Sequence, residues 1–167
     1  MAIKSTEYEQ LEKDLHSVHT DKLIKMIVEQ SKTDDSLFEN LKTLTLTEDE
    51  ALKTIKKQIA AIKRSKKYYD YYQCRELYEK LESVLNRIEQ SIQDNKNGIE
   101  LLVLFFSLDE YACNHCDDSD GGLGYIFLTR ASGLFVQYAQ DYADKAHLSD
   151  IIFELAGHND YGCHDAL

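Results

Sequence analysis

Apolar residues recur every three or four positions along almost the whole chain, which is the period of an α-helix buried on one face. Tyr8, Leu11 and Leu15 give a short first helix. Leu23, Ile24, Ile27 and Val28 repeat the pattern behind Thr20, read as an N-cap with Asp21 in the first turn. Asp34 or Asp35 can cap a third short helix carrying Leu37, Phe38, Leu41 and Leu44. Thr47 with Glu50 three residues on is a capping-box pattern, and it opens a helix with Leu52, Ile55, Ile59 and Ile62 on one face. The run "SKKYYDYYQ" interrupts it. Leu77, Leu81, Val84, Leu85, Ile88 and Ile92 then form a long amphipathic helix, expected to end at "QDNKNG" with Gly98 at its C-terminal turn.

The next stretch, "IELLVLFFSLDEYACNHC", is apolar nearly all round. It reads as one buried central helix over 99–116, with Leu101 to Phe106 inaccessible. After "DDSDGG" another long helix carries Leu123, Ile126, Phe127, Leu134, Phe135, Tyr138, Ala139 and Tyr142, and Ser149 is read as the cap of a last one, "DIIFELA", stopping at Gly157. The apolar "LLVLFF" has the period of a buried strand as well, but its length and flanks favour helix. The expectation is an all-α protein of about eight helices, paired antiparallel in a bundle or a short HEAT- or TPR-like stack. It is read as one domain over 1–167, with short helices in 1–46 and a helical core in 47–167.

Composition adds boundaries. The chain has no Pro and seven Gly among 167 residues, so little interrupts its helices. No apolar run approaches a membrane span, and "MAIKSTEYEQ" lacks the apolar core of a signal peptide, so the expected compartment is the cytoplasm, without membrane contact. There Cys74, Cys113, Cys116 and Cys163 are expected as free thiols or metal ligands rather than disulfides. The net charge of −11 is uneven: residues 98–167 hold 12 acids against Arg130 and Lys145. Such a surface repels a nucleic-acid backbone and favours basic partners.

Four candidate chemistries follow. Lys53, Lys56, Lys57, Lys63, Arg64, Lys66 and Lys67, followed by Tyr68, Tyr69, Tyr71 and Tyr72, could grip phosphates and stack bases. The plainer reading is a solvated helix face whose end packs tyrosines into the core, and the acidic remainder favours it. Cys113, Cys116, Cys163 and His164 supply ligand types zinc accepts, but the first pair sits at a helix end and the second is contiguous, so no metal is assigned. "DDSDGG" invites calcium. With Gly121 sixth in an EF-hand loop, Asp118 falls third and Asp120 fifth, yet Cys116 falls first and Phe127 twelfth, which excludes a standard EF-hand. The alternative for Asp117, Asp118, Ser119, Asp120 and Gly121 is a helix start capped by its own acids, a turn that could also lock neighbouring Arg or Lys side chains. No catalytic set emerges: there is no P-loop, dinucleotide fingerprint or nucleophile elbow, the histidines are scattered, and the adjacent Asp109 and Glu110 point to different sides of a helix. No cofactor is expected.

The Tyr-rich entry at Tyr69–Tyr72, the helix closing on Gly98, the buried helix, the turn Asp117–Gly121, the late Phe153–Leu155 helix and the element Asp160–Gly162 together resemble a bacterial helical family of unknown function. That family is found downstream of the zinc finger in SWIM zinc-finger proteins. The likeness covers roughly 50–167 as a pattern, with the acidic turn its specific piece. It implies an all-helical region and no activity. Residues 1–50 contain no Cys, so the finger itself is not implied. The functional expectation is a non-enzymatic, acidic module that binds a protein partner. The alternatives are an acidic inhibitor of phage type that mimics nucleic acid, and a metal-binding regulator.

Overall fold

The computed structural model describes the backbone of residues 5–167, and the side chains from Glu7 onward except those of Ser36, Glu39, Asn40, Thr43 and Leu44. The expected core position Leu44 therefore lies outside the described side chains. Contacts divide the chain into two compact units, a first one through Thr45 and a second over Leu46–Leu167. The sequence reading divides a single domain one residue later, into 1–46 and 47–167.

The first unit holds α1 (Ser5–His16), α2 (Thr20–Ser31) and α3 (Asp35–Leu44). Asp34 caps α3, its carboxylate accepting the Leu37 N–H at 2.9 Å. Thr20 is not the cap of α2. His19 is, its ring nitrogen accepting the Asp21 N–H, and Thr20 is the first helical residue.

The second unit begins with α4 (Glu48–Lys63), where Thr47 and Glu50 form the expected capping box. There follow α5 (Cys74–Ser91), α6 (Asn95–Phe106), α7 (Asp109–His115), α8 (Gly122–Gly124), a π-helical segment (Tyr125–Ala131), α9 (Ser132–Gln140) and α10 (Lys145–Gly157). No strand forms among the described residues beyond a single parallel bridge between Tyr69 and Cys116. No described helix is long and apolar enough to cross a membrane.

The hub is α6, which packs against α4, α9, the π segment and α10. Ile99, Leu101, Leu102, Phe105 and Phe106 are fully buried on it. Two expectations fail here. The stretch 99–116 is not one helix: α6 stops at Ser107, whose hydroxyl donates to the Leu104 carbonyl at 2.8 Å, and α7 starts afresh at Asp109. Leu104 is also 39% exposed. It stands four residues beyond Glu100 and eight beyond Lys96, on the one stripe of α6 that faces water, so its neighbours' polarity and not its own decides its place.

Gly98 does not end a helix either. It lies buried in the first turn of α6, whose N-cap Asp94 accepts the Asn97 N–H at 2.9 Å. A Cβ at Gly98 would sit 2.6 Å from the Tyr138 ring, so glycine is required by close approach rather than by a turn. Glu48 fixes this end of α6 from α4, accepting the N–H groups of Gln93 and Asp94 at 3.2 Å each and the Asn97 amide at 3.0 Å. The last helix begins earlier than expected as well. Asp144, not Ser149, caps α10, accepting the His147 N–H at 3.0 Å.

Candidate functional site

The acidic turn is built from both sides. On its N-terminal side the Tyr69 N–H donates to the His115 carbonyl at 2.7 Å and the Asp117 N–H to the Tyr69 carbonyl at 3.0 Å. These bonds hold the end of α7 against the segment entering α5. On its C-terminal side Gly121 takes φ +71°, a left-handed conformation open to glycine at little cost. The Leu123 N–H, one of the free donors at the start of the next helix, is satisfied by both Asp118 oxygens at 3.2 Å.

Asp118 has a second partner: the Tyr78 hydroxyl of α5 donates to it. Tyr78 also lies flat against Gly122, where a Cβ would come within 2.5 Å of its ring. Burial, and then the Asp118 carboxylate, push the Tyr78 phenol well above its ordinary range. Asp120 accepts the exposed Tyr71 hydroxyl at 3.3 Å, and Asp117 accepts the Ser119 hydroxyl at 2.6 Å. The turn is therefore a helix start clamped by tyrosines. The Arg or Lys partners foreseen for it are replaced by phenols, which come from α5 and the loop before it.

The cysteines fall into two pairs. Cys116, buried, lies with its Sγ 2.7 Å from the Sγ of Cys74, a residue outside the candidate zinc set. Cys74 also reaches the Asp117 carbonyl at 2.9 Å. Cys113 is half-buried and has the buried Cys163 as its partner. The Cys163 thiol holds the Cys113 thiol below its ordinary range, and Cys163 itself is pushed far up, by Cys113 first and then by burial. The candidate zinc set Cys113, Cys116, Cys163 and His164 is thus divided, because Cys116 turns towards α5. Among the described residues no three His, Cys, Asp or Glu side chains converge as a metal site.

His164 has another partner. Its Nδ1 sits 2.8 Å from the Leu155 carbonyl, which can only accept, so that nitrogen carries a proton. Its Nε2 lies 3.3 Å from an Asp109 oxygen, and both side chains are more than nine-tenths buried. The ring meets Phe106 edge-on at 5.0 Å. The pair borders a small cavity of about 190 Å³ with Val103, Ser107, Ile151, Glu154, Leu155 and His158. Asp109 was set aside beside Glu110 as an acid/base pair, and its partner lies 55 residues on, at a separation no local pattern reveals. The geometry ties the chain after α10 to the start of α7.

Part of the basic stripe serves the fold, although most of it is exposed. Lys56 pairs with Glu100 at 3.6 Å and Lys67 with Glu76 at 2.5 Å, while the Lys63 ammonium reaches the Ser107 hydroxyl at 3.2 Å. Of the tyrosines only Tyr69 enters the core, where Lys67 and Lys80 lie over its ring. Tyr68, Tyr71 and Tyr72 are exposed, Tyr72 by 90%, against the expectation that they pack inward.

The chain belongs to DUF6880, a family of unknown function, whose profile matches residues 10–167. Nothing in that match links it to SWIM zinc-finger proteins. No curated protein and no solved structure matches the chain.

Proposed function

We propose that the protein is a non-enzymatic interaction module that holds a protein partner on the apolar faces of its N-terminal helices. One observation carries this reading. In the unit 46–167 most of the periodic apolar residues are buried, with Leu104 and Phe153 among the exceptions, whereas those of α1 and α2 are largely open. Tyr8 and Leu11 are more than half exposed, as are Ile24 and Met26, and Ile27 and Val28 are open too. Ser31 is the one buried residue among the described side chains of this unit. Helices of 12 residues are marginal in water without tertiary packing, so faces patterned for burial require cover. A groove of about 540 Å³ runs between Tyr8, Leu11 and Leu15 on α1 and Val18 and Leu23 beyond. Its apolar lining suits an amphipathic helix laying anchors at helical spacing.

The test is cross-linking of the full chain in cells of its source, followed by mass spectrometry, for wild type and for Leu11→Asp with Ile24→Asp. The expected result is a discrete protein partner cross-linked through residues 8–28, lost in the double variant, with the melting of the 46–167 unit unchanged. A double variant that melts several degrees lower would mean that the chain covers these faces itself. Nucleic acid recovered in place of protein would sink the reading equally.

A further inference from the structure

The geometry points to Cys74 and Cys116 as a site of reversible disulfide formation, linking the first turn of α5 to the entry of the acidic turn. Their sulfurs, 2.7 Å apart, are closer than non-bonded contact yet outside the disulfide bond length of about 2.05 Å. Main-chain bonds hold the two segments in this approach: Tyr69 to His115 and Asp117 on one side, and the Cys74 N–H to the Asp70 carbonyl at 2.9 Å on the other. Closing the bond brings the two sulfurs about 0.65 Å nearer, from 2.7 Å to the bond length of about 2.05 Å. The pair is not part of a metal site, since no third ligand converges on it among the described residues. It is also separate from the Cys113–Cys163 pair.

Both thiols are buried, which admits a small oxidant such as hydrogen peroxide and hinders a bulky disulfide reagent. Burial, and then the neighbouring Cys74 thiol, raise the Cys116 thiol to about 12. Cys116 therefore keeps its proton at neutral pH and reacts slowly as a nucleophile. In the reaction one sulfur, as thiolate, attacks a peroxide oxygen. The O–O bond breaks, and the departing hydroxide takes up the thiol proton as water, leaving a sulfenic acid. The second sulfur attacks the first, the S–O bond breaks, and a second water leaves. Two thiols and one peroxide give one disulfide and two waters. The sulfur pair loses two electrons and the peroxide gains them. A dithiol reductant reverses the change.

Oxidation has a structural consequence. The Cys74 S–H, which reaches the Asp117 carbonyl, is replaced by a covalent tie to Cys116 beside it. The chain from the start of α5 to the acidic turn becomes a closed loop, so the Tyr78–Asp118 clamp is held from both ends.

The experiment uses the full chain, reduced and then treated with excess hydrogen peroxide, denatured, alkylated and mapped by mass spectrometry. The expected product has lost two hydrogen atoms, carries one peptide joining Cys74 to Cys116, and melts several degrees above the reduced form. Cys113→Ser should keep this product, and Cys74→Ser and Cys116→Ser should each abolish it. Should the serine variants fail to fold, the wild-type peptide map decides alone. Four alkylated cysteines after peroxide, or a crosslink joining only Cys113 to Cys163, would overturn the assignment.

Discussion

Asp118 and Asp120 stand two residues apart in the same acidic string, yet their neighbours give them different weights. Asp118 caps the helix that follows and holds the Tyr78 hydroxyl, while Asp120 meets only an exposed phenol. Asp118→Ala should therefore cost about 1–3 kcal/mol, because it removes a helix cap and leaves a half-buried hydroxyl without its acceptor. Asp118→Asn should cost less, since an amide oxygen still accepts. Asp120→Ala should stay within about 0.5 kcal/mol, as for an exposed substitution away from such features. Urea melts of the three variants check the order, and equal losses at both positions would contradict it. Gly98 is the second pressure point. Its neighbour Tyr138 cannot swing away, because its hydroxyl donates to the Ile92 carbonyl at 2.9 Å and reaches that of Ile88 at 3.2 Å. Gly98→Ala should cost about 1–3 kcal/mol by overpacking, against the gain alanine normally brings to an exposed helix position.

At the scale of elements, what could be read from the sequence depends on how far a determinant lies from what it determines. The capping box at Thr47 spans three residues and was readable. The cap of α3 was readable to within one residue, as Asp34 or Asp35, and Asp34 fills it. The break between α6 and α7 was not, because no Pro or Gly marks it and the apolar run continues through it. The exposure of Leu104 follows from Lys96 and Glu100 on its own helix, a signal present in the sequence but hidden by the apolar average. Leu104→Asp should thus be mild, while Phe105→Asp, on the buried face, should cost several kcal/mol and unfold the 46–167 unit. Thermal melts of the two variants separate the cases. The π segment was not foreseen at all. Apolar positions Leu123, Phe127, Ala131 and Phe135 recur every four residues, a spacing that drifts round a regular α-helix. Bonding to the fifth residue puts more residues in each turn and keeps the four on one side, where Phe127 meets Phe105 and Phe106. The site was half legible for the same reason. The turn 117–121 announced itself, but Tyr78 lies 40 residues from Asp118 and Cys74 lies 42 from Cys116.

For the molecule as a whole, these buried phenols and thiols fix how stability responds to alkali. Four groups are held protonated in the fold. Tyr138 is raised to about 12 by burial first, with the Glu48 and Glu89 carboxylates adding to it. Cys116 is raised to about 12, and Tyr78 and Cys163 are raised further. In the unfolded chain thiols ionise near about 8.5 and phenols near about 10. Below those values both states hold the protons, and these groups contribute no slope. Above them the unfolded chain releases protons that the folded chain retains, so stability falls as pH rises. The loss begins with the thiols near pH 8.5, steepens as the phenols join near pH 10, and continues until the folded values are passed. Cys113, lowered by its partner, acts earlier: it sheds its proton in the fold below about pH 8.5, so it adds stability as pH rises towards that value and contributes no slope above it. Under reducing conditions the melting temperature should therefore change little from these groups between pH 6 and 8 and then drop progressively towards pH 11. Tyr78→Phe should start lower at neutral pH, having lost the bond to Asp118, and then decline less steeply, because one of the phenols driving the loss is gone. Parallel decline of variant and wild type above pH 10 would show that Tyr78 ionises as freely in the fold as out of it, and would remove the tyrosine clamp from the account of the acidic turn.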